Sequence, residues 1–275
     1  MILDGTALRD KGIARMKAYI EESARKAGSS FVPPYLVIVQ VGDRPDSNAY
    51  VGQKERFGEK IGAKVARIRL PGDVSQNDLE AEVKKWSDRA DVHGVILQLP
   101  LSPGLDAASA VEKIDPRKDV DGLTVANQRS HAIIPATARG IIELLRKNGV
   151  DIKGKKAAVI GRSTLVGVPT AHALADAGAE VAVIHSKTEN PQKISTAADI
   201  VVVAAGKEGF FGKDYFSAGQ TVVDVGISPN LRGDVRFDEV APLVKAISPV
   251  PGGVGPMTVL SLFENLLDAY RGLLY

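Results

Sequence analysis

The sequence feature that most constrains the fold is a predicted strand followed by a glycine-containing turn and a predicted helix, over residues 156–178. The turn begins at Gly161, directly after the apolar run of the strand. Free backbone N–H groups and the helix dipole at such a helix start favour an anion, as in doubly wound domains that bind a dinucleotide pyrophosphate. The turn departs from the usual G-x-G-x-x-G pattern, because Ser163 stands at the second glycine and Gly167 comes late. The glycines alone therefore indicate a nucleotide loop and an ordinary helix–strand turn about equally.

The segment after the next predicted strand indicates which dinucleotide would bind. NAD enzymes usually carry an acidic residue there, which holds the ribose 2′-hydroxyl group. This chain has no acidic residue at 185–188, where Ser186 and Lys187 follow the strand. A carboxylate would repel a 2′-phosphate, whereas these two residues and Arg162 could bind it. The segment therefore favours NADP as the cofactor.

The composition limits the classes of protein to which the chain can belong. Its 275 residues, 44% of them hydrophobic and 25% charged, are enough for one large or two ordinary globular domains. A net charge of +2 does not favour nucleic acid or a membrane surface, and no apolar run approaches the roughly 18 residues of a membrane span. The lack of cysteine excludes disulfides and Cys-ligated zinc, and the four histidines lack metal-ligand spacing. We expect a cytoplasmic protein without a bound metal or a signal peptide.

Predicted strands and helices alternate along most of the chain, which is typical of parallel sheets covered by helices on both faces. We predict an α/β protein of two α/β domains with a cleft between them, the second a Rossmann-type parallel-sheet domain that binds NADP. Residues 1–139 would form the first domain, completed by the C-terminal helix at 250–275, and residues 140–249 the second. The predicted helices lie at 6–26, 46–61, 75–89, 137–147, 161–178 and 256–270, and the predicted strands at 35–41, 64–70, 94–98, 156–160, 180–184, 200–205, 221–225 and 245–247. A polar loop is predicted between Asp115 and Asn127.

The predicted helix at 46–61 carries a lysine on the face that should be buried. This face contains, at helical spacing, Tyr50, Lys54, Phe57 and Ile61. Lys54 either extends its amine to water, which is the commoner outcome, or lies in a cleft where burial lowers its pKa. Tyr50 could then bond to the same reacting group from one turn away, or it could be a core aromatic with its hydroxyl at the rim.

Two further polar residues stand at positions that could face a ligand. Gln98 ends an otherwise apolar strand, and ligands of open parallel sheets bind outside the carboxyl ends of strands. A strand-end amide that satisfies a loop is about as common. Asp121 lies in the turn Lys118-Asp119-Val120-Asp121-Gly122, where local backbone bonding is the default role of either aspartate. A paired-acid metal site there lacks further ligands at the right spacing.

Seven segments occur in a fixed order along the chain: Tyr50-Val51-x-x-Lys54, Gln98-Leu99-Pro100-Leu101, Lys118-Asp119-Val120-Asp121-Gly122, Gly161-Arg162-Ser163, His185-Ser186-Lys187-Thr188, Asp224-Val225-Gly226-Ile227 and the proline–glycine block at 249–258. This series resembles the bifunctional methylenetetrahydrofolate dehydrogenase/methenyltetrahydrofolate cyclohydrolase family, over nearly the whole chain. The resemblance implies a tetrahydrofolate substrate bound by the N-terminal domain with the last helix, NADP bound by the middle domain, and a homodimer. It also implies oxidation of 5,10-methylenetetrahydrofolate, followed by hydrolysis of the methenyl product to 10-formyltetrahydrofolate.

The resemblance implies roles for single residues. Lys54 would be the key residue of the cyclohydrolase reaction, while Tyr50, Gln98 and Asp121 would position the folate or tune that lysine. The implied nucleotide contacts are Gly161, Arg162, Ser163, Ser186 and Ile227. The implied folate contacts are Tyr50, Gln98, Leu99, Asp121, Pro251, Gly252 and Gly253.

Two segments depart from the family pattern. Pro135-Ala136-Thr137-Ala138 stands where Pro-Cys-Thr-Pro is usual, and Leu123-Thr124-Val125 replaces an aromatic-His segment. Both departures leave open a dehydrogenase without hydrolytic activity, or one that acts on another pterin carrier. A non-catalytic NADP-binding sensor is a third alternative. It would need the glycine loop but not the lysine at position 54.

Overall fold

The computed structural model describes residues 1–226, 228, 230 and 232–272. In chain order its main elements are α1 (Gly5–Ala27), β1 (Tyr35–Val41), α2 (Pro45–Ile61), β2 (Lys64–Leu70), α3 (Gln76–Ser87), β3 (Gly94–Leu97), α4 (Ala107–Val111), α5 (Val125–Ser130), α6 (Ala136–Lys147), β4 (Lys156–Ile160), α7 (Gly167–Asp176), β5 (Glu180–Ile184), α8 (Pro191–Thr196), β6 (Ile200–Val203), β7 (Thr221–Asp224), α9 (Phe237–Val240), β8 (Ala246–Ile247) and α10 (Val254–Tyr270).

Each helix and strand predicted from the pattern of apolar residues is present, and most bounds agree within two residues. The short helices α4, α5, α8 and α9 were not predicted, because four to six residues are too few to show a helical period. The predicted polar loop at 115–127 is partly helical: a 3-10 turn covers Pro116–Lys118 and α5 begins at Val125. Thr124 caps that helix, since its side chain accepts the N–H of Asn127.

The chain divides into two compact units, each of them discontinuous. The three-stranded unit consists of Lys11–Ala136 and Leu262–Tyr275, and the five-stranded unit consists of Met1–Asp10 and Thr137–Ser261. The predicted boundaries therefore differ from this division at both ends of the chain. The first ten residues and residues 250–261 group with the five-stranded unit.

Backbone hydrogen bonds explain why the first residues group in this way. The N–H of Leu3 donates to the Ile247 carbonyl at 2.9 Å, so the chain start extends the sheet beside β8. The N–H groups of Gly5 and Thr6 donate to the Gly252 carbonyl at 2.9 and 3.0 Å. These pairings join positions about as far apart as the sequence allows, and local patterns cannot indicate them.

The three-stranded unit contains a parallel sheet in the order β2-β1-β3. All seven residues of β1 are buried, because this central strand is covered on both faces. Val39 of β1 pairs with Leu97 of β3, which brings the carboxyl ends of these strands side by side. Side chains that follow either strand therefore share one edge of the sheet.

The five-stranded unit contains a parallel sheet in the order β5-β4-β6-β7-β8. Successive strands are placed on opposite sides of β4, so the chain changes direction across the sheet between β5 and β6. Such a switch point is where doubly wound domains bind their ligand, at the carboxyl ends of the strands. The predicted parallel α/β architecture, with a Rossmann-type second sheet, is confirmed.

Among the residues that the structure describes, no helix combines the length and apolar character needed to cross a membrane. Within the same ranges, no group of three or more His, Cys, Asp or Glu side chains is arranged to hold a metal ion.

Candidate active site

The amine of Lys54 is bonded to the side chain of Gln98. Lys54 lies on α2 and is half-buried, and its Nζ donates to Gln98 Oε1 at 2.9 Å. Gln98 is the first residue after β3, and its Nε2 donates to the Leu99 carbonyl at 2.7 Å. A carbonyl can only accept and an ammonium can only donate, so the orientation of the amide is determined at both ends. The lysine does not extend to water as an isolated surface side chain would.

A carboxylate, Asp121, balances the charge of this lysine. Burial lowers the pKa of the Lys54 amine from its ordinary value, and the charge of Asp121 partly reverses that shift. Burial raises the pKa of Asp121, whereas Lys54 lowers it and Asp119 raises it further. Each of the two charged groups thus favours the ionised form of the other within a desolvated environment. Because its pKa is lowered, this amine loses its proton at a lower pH than a solvated lysine does.

The two aspartates of the 118–122 turn have different environments. Asp119 is 1% exposed, and its Oδ2 accepts the Thr124 N–H at 2.8 Å and the Asn127 Nδ2 at 2.9 Å. It therefore organises the start of α5, which is the turn-forming role expected by default for either residue. Asp121 is instead the charge partner of Lys54. The sequence alone could not separate these roles.

Two residues hold the Asp121 turn in place. Gly122 has φ +72°, and a Cβ added there would lie 2.8 Å from the backbone N of Pro135. Only glycine combines that conformation with so close an approach. Asn265 of α10 donates from Nδ2 to the Val120 carbonyl at 2.8 Å and to the Ile134 carbonyl at 3.1 Å. Asn265 was missed in the sequence, where its one signal is an amide inside the apolar stripe of the last helix.

Tyr50 is 42% exposed, so the interpretation of this residue as a buried core aromatic is wrong. The core face of α2 runs through Ser47, Val51 and Gly58. Tyr50 precedes Val51 by one residue and is therefore rotated by about 100° from that face. It remains one helical turn from Lys54 on α2.

The turn after β4 is shaped by close backbone approaches. Gly161 has φ +124°, and an added Cβ would lie 2.1 Å from the Ala204 carbonyl oxygen. A Cβ at Gly167 would lie 2.3 Å from the Gly161 carbonyl oxygen. Ser163 accepts the Gly167 N–H on its Oγ at 3.3 Å, at the start of α7. The residues present thus form a glycine-lined turn at a helix start, as a dinucleotide pyrophosphate requires.

The turn after β5 lies beside this loop, because Ile160 and Ile184 pair at the ends of adjacent strands. Its backbone is held by its own side chains. The His185 N–H donates to Thr188 Oγ1 at 2.9 Å, and the Lys187 N–H donates to His185 Nδ1 at 3.1 Å. Ser186 and Lys187 are exposed, as is Arg162 across the strand ends. This arrangement presents basic and hydroxyl groups beside the glycine turn, without a carboxylate from residues 185–188.

The remaining predicted contacts are distributed over both units. Leu99 follows Gln98 in the three-stranded unit, whereas Pro251, Gly252 and Gly253 belong to the five-stranded unit. Gly252 has φ +106° and accepts the backbone bonds that hold the chain start. Ile227, a predicted nucleotide contact, lies outside the described residues.

Comparison with known proteins agrees with this geometry. Two family models match: the catalytic domain of tetrahydrofolate dehydrogenase/cyclohydrolase over residues 3–121, and the NAD(P)-binding domain of the same family over residues 135–273. A relative named bifunctional protein FolD, from Methanospirillum hungatei, is 42% identical over an alignment of 279 positions that covers 98% of each chain.

Two solved structures are similar along their whole length. The bifunctional enzyme FolD, methylenetetrahydrofolate dehydrogenase/cyclohydrolase, from Campylobacter jejuni is 36% identical with a TM-score of 0.92, covering 100% of this chain and 99% of the other. The Trypanosoma brucei methylenetetrahydrofolate dehydrogenase-cyclohydrolase, complexed with NADP cofactor and inhibitor, is 35% identical with a TM-score of 0.93, covering 99% and 98%. Both domain models of one family match this chain, and relatives of this similarity align with it over nearly their full length. The chain therefore belongs to the tetrahydrofolate dehydrogenase/cyclohydrolase family.

Proposed function

We infer that this chain oxidises 5,10-methylenetetrahydrofolate to 5,10-methenyltetrahydrofolate with NADP and hydrolyses the methenyl form to 10-formyltetrahydrofolate. The observation that carries the hydrolytic part is the desolvated amine of Lys54, bonded to Gln98 and balanced by Asp121. Family membership supports both activities.

The oxidation requires placement more than proton transfer. NADP, when bound, accepts a hydride from the one-carbon bridge of the folate. We propose that Gly161 and Ser163 leave room for the pyrophosphate at the start of α7, and that Arg162 and Ser186 bind the 2′-phosphate. The role of the protein in this step is to orient the two reactants and to select the phosphorylated cofactor.

The hydrolysis requires three proton transfers. Water loses one proton as it adds to the cationic methenyl carbon and leaves a hydroxyl group there. The ring nitrogen gains a proton as its C–N bond breaks, and the hydroxyl loses its proton as the formyl C=O forms, so one proton is released overall. Burial lowers the pKa of the Lys54 amine below that of a solvated lysine, which makes the amine a better proton-transfer group for these steps. Gln98 orients that amine, and Asp121 supports its charged form. We propose that the exposed hydroxyl of Tyr50 binds the substrate beside the amine.

The folate would also contact backbone or apolar groups at Leu99, Pro251, Gly252 and Gly253. Leu99 directly follows Gln98, and residues 251–253 directly precede the start of α10 at Val254.

Arg162 should select NADP over NAD through its contact with the 2′-phosphate. Arg162→Ala should weaken NADP binding by about 10- to 150-fold, since a hydrogen bond to a charged group contributes about 1.5–3 kcal/mol. The affinity for NAD should stay nearly unchanged, because NAD lacks the 2′-phosphate. Titration calorimetry with both cofactors measures the two constants, and Lys213→Ala, at an exposed lysine of the same unit, is the control. Equal losses for NADP and NAD would assign Arg162 to the pyrophosphate or to the fold.

We also propose that the chain acts as a homodimer, as its family resemblance implies, and that it acts in the cytoplasm, as its composition favours. Light scattering coupled to size-exclusion chromatography should then give twice the 29.1 kDa mass of the chain. A mass of one chain at micromolar concentration would remove the dimer from this proposal.

A further inference from the structure

A buried carboxylate organises the loop that follows β6. Asp234 is 2% exposed, and its two oxygens accept three consecutive backbone N–H groups. Ala205 and Gly206 donate to Oδ2 at 2.7 and 2.8 Å, and Lys207 donates to Oδ1 at 2.6 Å. Hydrogen bonds to a charged acceptor are roughly twice as strong as neutral ones. The carboxylate therefore holds this loop in one conformation.

A second buried carboxylate holds the first. Asp224, the last residue of β7, is 3% exposed. Its Oδ1 accepts the N–H groups of Gly226 at 3.0 Å and of Asp234 at 3.1 Å, and its Oδ2 accepts the Val235 N–H at 2.9 Å. The two aspartates thus connect, in series, the turn after β7, the segment at 233–235 and the loop after β6.

The backbone packs so closely around the two carboxylates that two neighbouring positions have room only for glycine. A Cβ added to Gly226 would lie 2.3 Å from Asp234 Oδ1, and one added to Gly233 would lie 1.9 Å from Asp224 Oδ2. Burial raises the pKa of Asp224 to about 7, although its three backbone donors lower that pKa. Two carboxyl groups buried side by side are costly to a fold. Asp224 ends β7, at the carboxyl edge of the sheet where doubly wound domains bind their ligands. A role in ligand binding would account for keeping so costly a pair.

The loop held by Asp234 lies against the nucleotide turn. Its first residue, Ala204, donates its N–H to the Ile160 carbonyl at 2.7 Å, and its carbonyl oxygen is what an added Cβ at Gly161 would strike. The loop stands on the β6 side of β4, whereas Ser186 follows β5 on the other side. A dinucleotide at a switch point extends to both sides of that point. If the 2′-phosphate half lies toward Ser186, the nicotinamide half lies toward the loop after β6.

We propose that Asp234 is a positioning residue for the nicotinamide half of NADP, and that Asp224 holds Asp234 in this role. The proposal rests on the proposed function, because it takes NADP as the cofactor with its 2′-phosphate beside Arg162 and Ser186. It assigns no contact with the cofactor to either carboxylate: both act through the backbone of the two turns.

The test separates the two halves of the cofactor. Asp234→Asn retains the size of the side chain, but its NH₂ group cannot accept a backbone N–H. We expect the dissociation constant for NADP to rise about 10- to 100-fold. Binding of 2′,5′-ADP, which carries the 2′-phosphate but no nicotinamide, should stay within twofold of wild type. Asp238→Asn, at an exposed aspartate of α9, is the matched control and should change neither constant.

Hydrolysis of methenyltetrahydrofolate consumes no nucleotide, so the variant should retain the wild-type hydrolytic rate. NADP affinity equal to wild type would overturn the proposal, and so would equal losses of NADP and 2′,5′-ADP, which would mean a general structural role. If the wild-type protein bound no NADP, the proposed function would fail and this inference with it.

A measurement on the unmodified protein covers the case in which the variant does not fold. Amide hydrogen exchange by NMR should show slow exchange at Ala205, Gly206 and Lys207 in the absence of cofactor, because Asp234 already holds these N–H groups. Exchange as fast as in an unstructured loop would also overturn the proposal.

Discussion

Lys54→Met is expected to slow the hydrolysis of 5,10-methenyltetrahydrofolate by about 10²–10⁴-fold while hydride transfer continues at least in part. Methionine keeps the length of the side chain and its helix propensity but removes the amine. In the proposed mechanism, hydrolysis needs that amine for proton transfer, whereas oxidation depends on placement of the reactants. The variant should therefore release methenyltetrahydrofolate, which the wild-type protein converts further.

One assay follows both reactions. NADPH formation from methylenetetrahydrofolate is followed in the same sample as the methenyl absorbance, which should persist in the variant. Lys60→Met, at an exposed lysine of the same helix, is the matched control and should behave as wild type. Wild-type hydrolysis by Lys54→Met would assign the proton transfers to another group and would contradict the mechanism.

Asp121→Ala is expected to lower kcat/KM for both activities, mainly through the KM of the folate. We propose that Asp121 contacts the folate, and a lost hydrogen bond to a charged group costs about 1.5–3 kcal/mol, or roughly 10- to 150-fold. NADP affinity and the melting temperature should hold, because Asp121 does not organise the backbone of its turn. Asp119→Ala is the contrasting variant, since it leaves the N–H of Thr124 without its acceptor and should lower the melting temperature.

The pH profile of any residual hydrolysis adds a second readout. Asp121 raises the pKa of Lys54, so removing this carboxylate lets burial lower that pKa further. The amine then loses its proton at lower pH, and the limb of the profile that reports Lys54 should move toward acid. If the pH profile of Asp121→Ala stayed at the wild-type position and its melting temperature fell strongly, Asp121 would be only a turn residue.

The sequence predicted the architecture well because it depends on local patterns. Apolar runs of five to seven residues between turn residues indicated the strands, and Lys54 was visible as a charged residue on an apolar helix face. What the lysine meets could not be predicted from these patterns. Its bond to Gln98 depends on the pairing of β1 with β3, which brings together residues 44 positions apart.

The residues that were not predicted correctly share one physical cause. Their local sequence fits more than one role, and contacts with residues distant in sequence decide which role they take. Tyr50 and Phe57 carry the same helical signal, yet only Phe57 is buried, because its ring stacks on Phe263 of the last helix at 4.6 Å. Asp234 gave no signal at all. It stands outside the motifs, and the N–H groups it accepts lie 27 to 29 residues earlier.

The split of each unit into two segments has a consequence for synthesis on the ribosome. The N–H of Leu3 cannot form its hydrogen bond until Ile247 has been synthesised. The three-stranded unit is likewise incomplete until the helical turns that begin at Leu262 are present. Domains that are continuous in sequence can fold one after another as they emerge, N-terminal domain first. Here neither unit has all of its parts until the residues around 247–262 have left the exit tunnel. We therefore expect nascent chains that end before about residue 260 to be open to proteolysis in both units, and protection to appear in both units almost together once these residues have emerged.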